Sequence, residues 1–262
     1  MKISICGKGG SGKSVITSLL AMGLKARGYR VLVVDSDESN SGLFRLLGFS
    51  RPPIPLMEMV GGKKGLKERM AVKTSAKEAE SKGEILNQDG IGLNEIPHQY
   101  RMESDNLLLV SIGKILQSLE GCACPMGVLS REFLKKLHLE TNEVALIDME
   151  AGVEHFGRGI ETSIDGVVVI VEPSLESLEL AARIKTLAHE ARVKKTWVML
   201  NKITSDDLAL TLKEELGKRG MKVIGQIHYD PEIFKACLEG RELRGGMAAK
   251  EIGEVIDQLL GG

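Results

Sequence analysis

Seven short runs of apolar, mostly β-branched residues recur along the chain, at 2–6, 31–34, 107–112, 144–147, 167–171, 196–200 and 223–227. Most are nearly continuous in apolar residues, which is the pattern of strands buried on both faces of a parallel sheet. Between them lie segments with helical periodicity, at 13–27, 131–137, 175–191, 206–219 and 248–260. In 175–191 the apolar positions 178, 180, 181, 184 and 187 follow the three-to-four-residue spacing of a one-sided helix. This alternation predicts an α/β fold, with a doubly wound, mainly parallel β-sheet flanked by helices. One stretch departs from it. From about residue 51 to 105 the chain is polar, lysine-rich and interrupted by Pro52, Pro53, Pro55 and several glycines. The expectation is a single domain over 1–262 with a polar helical insertion at about 51–105. Residues 67–101 match no motif.

Composition narrows the function classes. The chain has 262 residues, 43% of them hydrophobic, enough to bury the core of one large domain. Lys and Arg number 35 against 36 Asp and Glu, so the broad basic field used for non-specific nucleic-acid binding is lacking. No run approaches the ~20 apolar residues needed to cross a bilayer, and the N-terminus does not read as a signal peptide. A cytoplasmic protein with neither a nucleic-acid nor a membrane partner is expected. Its four cysteines then meet reducing conditions, where thiols more often bind metal or react than form disulfides.

The first apolar run leads directly into Gly7-Lys8-Gly9-Gly10-Ser11-Gly12-Lys13-Ser14 and then into an apolar helix. This is G-x-x-x-x-G-K-S in the strand–loop–helix setting of a phosphate-binding loop. Glycines let backbone N–H groups turn inward, and the helix N-terminus favours an anion. Gly9, Gly10, Ser11, Gly12, Lys13 and Ser14 are thus predicted to bind nucleotide. Lys13 reaches the β- and γ-phosphates and the Ser14 hydroxyl coordinates Mg2+.

A plain phosphate loop does not need a second lysine, yet Lys8 sits between two glycines. The pattern K-G-G-x-x-K-[ST] resembles the deviant Walker A of the P-loop ATPases that include nitrogenase iron protein, the Min and Par ATPases and the arsenite pump ATPase. That resemblance implies ATP as ligand, and a homodimer in which Lys8 contacts the partner's nucleotide. It also gives roles to Asp35-Ser36-Asp37, similar to the family's D-x-D switch I: Asp37 acts on the attacking water and Asp35 lies near magnesium. Asp148-Met149-Glu150-Ala151-Gly152 resembles a Walker B segment, with Asp148 holding Mg2+ through water. In Asn201-Lys202-Ile203-Thr204, Thr204 replaces the aspartate of a guanine-reading N-K-x-D. Adenine is therefore the expected base, with Asn201 its contact by resemblance.

Residues 121–127 read GCACPMG. With LMEMVGGKKG at 56–65, DMEAGVEHFGRG at 148–159 and VEPS at 171–174, this stretch resembles the carbon monoxide dehydrogenase maturation ATPases. The resemblance implies a role in nickel insertion into carbon monoxide dehydrogenase, or into a related acetyl-CoA synthase-type centre, as client. Cys122 and Cys124 offer two thiolates where zinc or nickel commonly takes four ligands. In a homodimer closed by ATP or metal, the two pairs would form one intersubunit site. Cys6 and Cys237 are expected in the core, and His155 is more readily a structural or switch residue than a ligand. Two other classes stay open: a Min/Par-type ATPase cycling on DNA or membrane, and an iron–sulfur reductase component.

Overall fold

The computed structural model describes residues 1–38, 42–74, 86, 89–114, 124–153 and 163–261. Among these, eight strands form one sheet: β1 (Lys2–Gly7), β2 (Arg30–Ser36), β3 (Met102–Ser104), β4 (Leu107–Ser111), β5 (Glu143–Met149), β6 (Gly166–Val171), β7 (Lys195–Ile203) and β8 (Val223–His228). Their order is β3-β4-β2-β5-β1-β6-β7-β8, all parallel apart from the β3–β4 pair. The doubly wound, mainly parallel α/β sheet expected from the sequence is therefore present. β1 lies between β5 and β6, so the loop leaving its C-terminal end enters the crevice where connections diverge to either side.

Helices fill the connections: α1 (Lys13–Ala26), α2 (Leu43–Leu46), α3 (Leu56–Met59), α4 (Gly62–Thr74), α5 (Cys124–Lys136), α6 (Leu175–Glu190), α7 (Asp206–Lys218), α8 (Pro231–Glu239) and α9 (Met247–Leu260). Because strand side chains alternate in direction, each strand feeds two cores. Val31, Val33, Val144, Leu146 and Val168 face a core shared with Leu20 and Leu24 of α1 and Ile252 and Ile256 of α9. Leu32, Val34, Ala145, Ile147 and Val169 face the other, shared with Phe133 of α5, Ile184 of α6 and Leu212 of α7. Local signals set the helix starts. Ser174 and Ser205 accept from backbone N–H groups of Ser177 and Leu208, and Asp230 accepts from that of Glu232 ahead of Pro231.

The polar stretch at 51–105 holds α3, α4, single 3-10 turns at Leu93–Glu95 and His98–Tyr100, and β3. Few apolar residues tie it down, but Leu56, Met57, Val60, Leu66, Leu93 and Ile96 all enter the α5-side core. β3 pairs antiparallel with β4 at the sheet edge, where Glu103 takes ion pairs from Arg30 at 3.2 Å and Arg101 at 3.0 Å. α5 begins at Cys124, seven residues before the periodic segment starts. Gly127 weakens the helical pattern there, while Met126, Leu129 and Phe133 continue the buried stripe.

Leu20 in α1 is fully buried, whereas Leu238 on α8 is 77% exposed. Leu20→Ala is expected to lower unfolding stability by about 2–5 kcal/mol and Leu238→Ala by less than about 0.5 kcal/mol, measured by urea titration. Equal costs would contradict this placement of the core.

Candidate nucleotide site

The loop between β1 and α1 owes its path to two glycines. Gly7 has φ +147°, and a Cβ there would lie 2.6 Å from the Ile170 carbonyl oxygen on β6. Gly12, the N-cap of α1, has φ +93°, and a Cβ would lie 2.2 Å from Asn201 Nδ2. Larger residues would strain the backbone at both positions and push the loop off its neighbours. The tail of β7 also grips the loop: Asn201 Nδ2 donates to the Ser11 carbonyl at 2.8 Å, and Lys202 Nζ donates to the Gly10 carbonyl at 2.6 Å. Lys202 achieves this from the left-handed region, φ +60°, beside a register shift in the β7–β8 ladder. A non-glycine residue in that conformation carries local strain.

Beside the loop opens a cavity of about 470 Å3, lined among others by Gly9, Gly10, Gly12, Lys13, Ser14 and Asp37. Arg45, Cys237 and Gly240 also contribute to its wall. Lys13 is nearly buried, and its Nζ donates to the Lys8 carbonyl at 3.2 Å. Parallel pairing of β2 with β5 sets Asp35 level with Asp148. Asp148 accepts from Ser14 Oγ at 2.6 Å and from Thr17 Oγ1 at 3.2 Å. Burial pushes the Asp148 carboxyl up to about 7, and proximity to Asp35 and Asp37 adds to the rise. Burial also raises Asp35 to about 6, against the pull of the Lys114 ammonium. Two crowded acids next to a serine hydroxyl at a phosphate loop form a donor set that a hard divalent cation suits. Ser11 Oγ is buried and has no hydrogen-bond partner among the described residues.

The structure thus brings Gly9, Gly10, Gly12, Lys13, Ser14, Asp35, Asp37 and Asp148 together. Ser11 packs behind the loop, with its N–H on the Lys8 carbonyl at 3.1 Å. Asn201 sits against the loop backbone through Ser11. Lys8 points away from its own cavity, with Nζ 3.3 Å from Glu172 and 3.9 Å from Glu176. Lys202 shares Glu172 at 2.9 Å and, with Lys8, holds that carboxyl below its usual range. Cys122 and His155 lie outside the described residues, as does the side chain of Cys124, whose backbone opens α5. Cys6 is buried as expected, but Cys237 is exposed. Within α8 Ala236 is the buried residue, and the helical step of about 100° turns Cys237 out towards the cavity rim. Lys114 and Arg45 lie outside the sequence motifs, and Glu172 falls within VEPS at 171–174, where no role is predicted for it. Lys114 carries one signal in the sequence, as a cation two residues past an apolar strand run.

A glycine loop between strand and helix, with its serine bonded to an aspartate on a neighbouring strand, defines a P-loop nucleotide-binding fold. The chain belongs to the CobQ/CobB/MinD/ParA nucleotide binding domain family, which matches residues 3–243, and it is an ATPase of that family. It is 43% identical over 259 residues to an uncharacterised ATP-binding protein of Methanocaldococcus jannaschii, covering 99% of each chain. It is 34% identical over 241 residues to the carbon monoxide dehydrogenase accessory protein CooC of Rhodospirillum rubrum, covering 92% of this chain and 88% of that one. Among solved structures, the cell division ATPase MinD of Pyrococcus furiosus shares the fold with TM-score 0.71 at 17% identity, covering 99% of this chain and 98% of that one. Among the described residues no helix is long and apolar enough to cross a membrane. No group of three or more His, Cys, Asp or Glu among those residues is arranged to hold a metal ion.

Both raised acids give the site a pH signature. In the unfolded chain they titrate at about 4, so from there to about 7 the folded state binds more protons than the unfolded one. Stability without nucleotide or Mg2+ therefore falls as pH rises through that window. Asp148→Asn removes the larger share. It is expected to be more stable than wild type at pH ~8 by roughly 2–4 kcal/mol, with the gap closing by pH ~4. Urea titrations at the two pH values measure this, and a gap that stays constant would refute it.

Proposed function

We propose that this chain is an ATP-dependent, dimerising metallochaperone or insertase that supports nickel insertion into a carbon monoxide dehydrogenase-type enzyme, working in the cytoplasm. The observation that carries the reading is its 34% identity, over 92% of its length, to the carbon monoxide dehydrogenase accessory protein CooC. The chain's own C-x-C at 122–124 agrees with it.

In this reading Lys13 binds the β- and γ-phosphates, and the backbone of residues 9–14 wraps them. Ser14, with Asp148 and Asp35 acting through water, would hold Mg2+, which when bound neutralises phosphate charge. Asp37, at the cavity wall, orients the attacking water. Asn201 steadies the loop beside the adenine. Lys8 is already on the surface with Glu172 and Glu176, so engaging a partner's nucleotide exchanges one set of anions for another.

The thiols complete the cycle. Cys124 is the first residue of α5 and Pro125 follows it. Cys122 and Cys124 from two chains provide four sulfur ligands for nickel as cargo, or for zinc. Nucleotide and metal then both favour the dimer, and each tightens the other's binding. Hydrolysis loosens the dimer over the docked client.

A helix that lies on an anionic membrane is basic and amphipathic, with its apolar face available. Here Ile252, Val255, Ile256 and Leu259 of α9 are buried, and the helix also carries Glu251, Glu254 and Asp257. α9 itself is thus not such a helix.

Metal content and oligomeric state, with and without ATP, test the proposal. Wild type is expected to bind about one Ni2+ or Zn2+ per two chains, as four-sulfur coordination requires, and more tightly with ATP. Cys122→Ser with Cys124→Ser should lose that metal. Full stoichiometry in the double variant rules the site out.

A further inference from the structure

The tail of β2, which carries Asp35, Ser36 and Asp37, is held by groups that do not line the phosphate cavity. Ile112, just past β4, donates its N–H to the Asp35 carbonyl at 3.0 Å. Ser36 Oγ lies 3.1 Å from Ser130 Oγ on α5, and both are buried. Lys114, two residues after Ile112, makes the third attachment. Its Nζ lies 2.7 Å from Asp35 Oδ1 and also donates to the backbone carbonyl of Asp37. The Lys114 side chain is 12% exposed.

Location separates Lys114 from the substrate-facing groups. Asp37 lines the phosphate cavity, and Lys114 does not. Lys114 instead lines a separate cavity of about 230 Å3 behind the strand tail, with Asp35, Ser111, Pro52 and Pro53. Its ammonium therefore acts on the phosphate cavity through Asp35 and Asp37, which it bonds. A lysine suits this position because one nitrogen with three donors can serve a carboxylate and a carbonyl at once. Asp37 lies one residue beyond the end of β2, so the sheet ladder does not set its orientation.

We propose that Lys114 is a positioning residue for ATP hydrolysis: it pins Asp35 and the Asp37 carbonyl together, and so aims the Asp37 carboxylate into the phosphate cavity. The inference rests on the role proposed above for Asp37. Displacing a catalytic group by ~1 Å costs ~100-fold in rate, whereas Lys13 and the backbone of residues 9–14, which bind the phosphates in the reading above, belong to the loop leaving β1 and not to the strand tail that Lys114 holds. Loss of Lys114 is therefore expected to lower turnover and leave nucleotide binding in place.

The test uses the full-length chain, steady-state ATP hydrolysis and fluorescence titration with a mant-labelled ATP. Lys114→Met is expected to lower kcat by about 30- to 100-fold while the mant-ATP Kd stays within about threefold of wild type. Asp37→Ala should lose turnover similarly, and adding Lys114→Met to it should lower kcat no further, because the two act in series. Lys114→Gln, which fills the site with a polar side chain, is read in the same way should the Met variant not fold. Turnover within about threefold of wild type in either folded Lys114 variant, with Asp37→Ala inactive, overturns this inference and leaves the role of Asp37 standing. Wild-type turnover in Asp37→Ala overturns both. Further loss in the double variant shows Lys114 acting independently of Asp37 and also overturns the proposal.

Discussion

Two carboxylates buried side by side are the costly element of this molecule. Asp35 and Asp148 occupy equivalent positions at the ends of adjacent parallel strands, so sheet geometry brings like charges together out of water. The surroundings offset that cost. Ser14 and Thr17 donate to Asp148, Lys114 pairs with Asp35, and Lys13 adds favourable charge nearby. A pair of acids under such pressure gains from any cation that arrives with phosphates. Nucleotide-free stability and affinity for the magnesium–nucleotide complex are thus two sides of the same burial.

The phosphate loop is constrained from the opposite side of β1. Asn201 and Lys202 bind the consecutive carbonyls of Ser11 and Gly10, and Glu172 collects both Lys202 and Lys8. One carboxylate at the exit of β6 therefore links the lysine of the loop to the lysine of β7. Strained backbone at Lys202 fits this arrangement, since its side chain is needed on the loop and not along the strand.

Most of the sheet could be read from the chain because parallel strands buried on both faces leave continuous apolar runs. Each of the seven predicted runs coincides with a strand, with ends off by at most three residues. β3 escaped because three residues with two polar members have no periodicity to detect. The start of α5 escaped because Gly127 and Pro125 weaken a helix whose stability comes from packing. In the site, the loop glycines, Lys13 and Ser14 were legible because phosphate binding needs those residue types at fixed spacing, and Asp148 through the resemblance of its segment to a Walker B strand end. The roles of Lys114 and Glu172 were not, since they depend on strands distant in sequence meeting at one end of the sheet. Cys237 was misplaced for a related reason: a short helix with an apolar stripe does not reveal which edge of the stripe the core covers.

The sheet border at β3 has a consequence for how copies of this chain meet. An open strand exposes unpaired backbone groups and can recruit another strand, as in edge-to-edge growth. Here that border is three residues long, and the guanidinium groups of Arg30 and Arg101 converge on its Glu103. A docking strand would gain few ladder bonds and would have to displace charge. Self-association by sheet extension is therefore poorly rewarded on that side, and aggregation through strand addition is discouraged by the same few residues that close the fold.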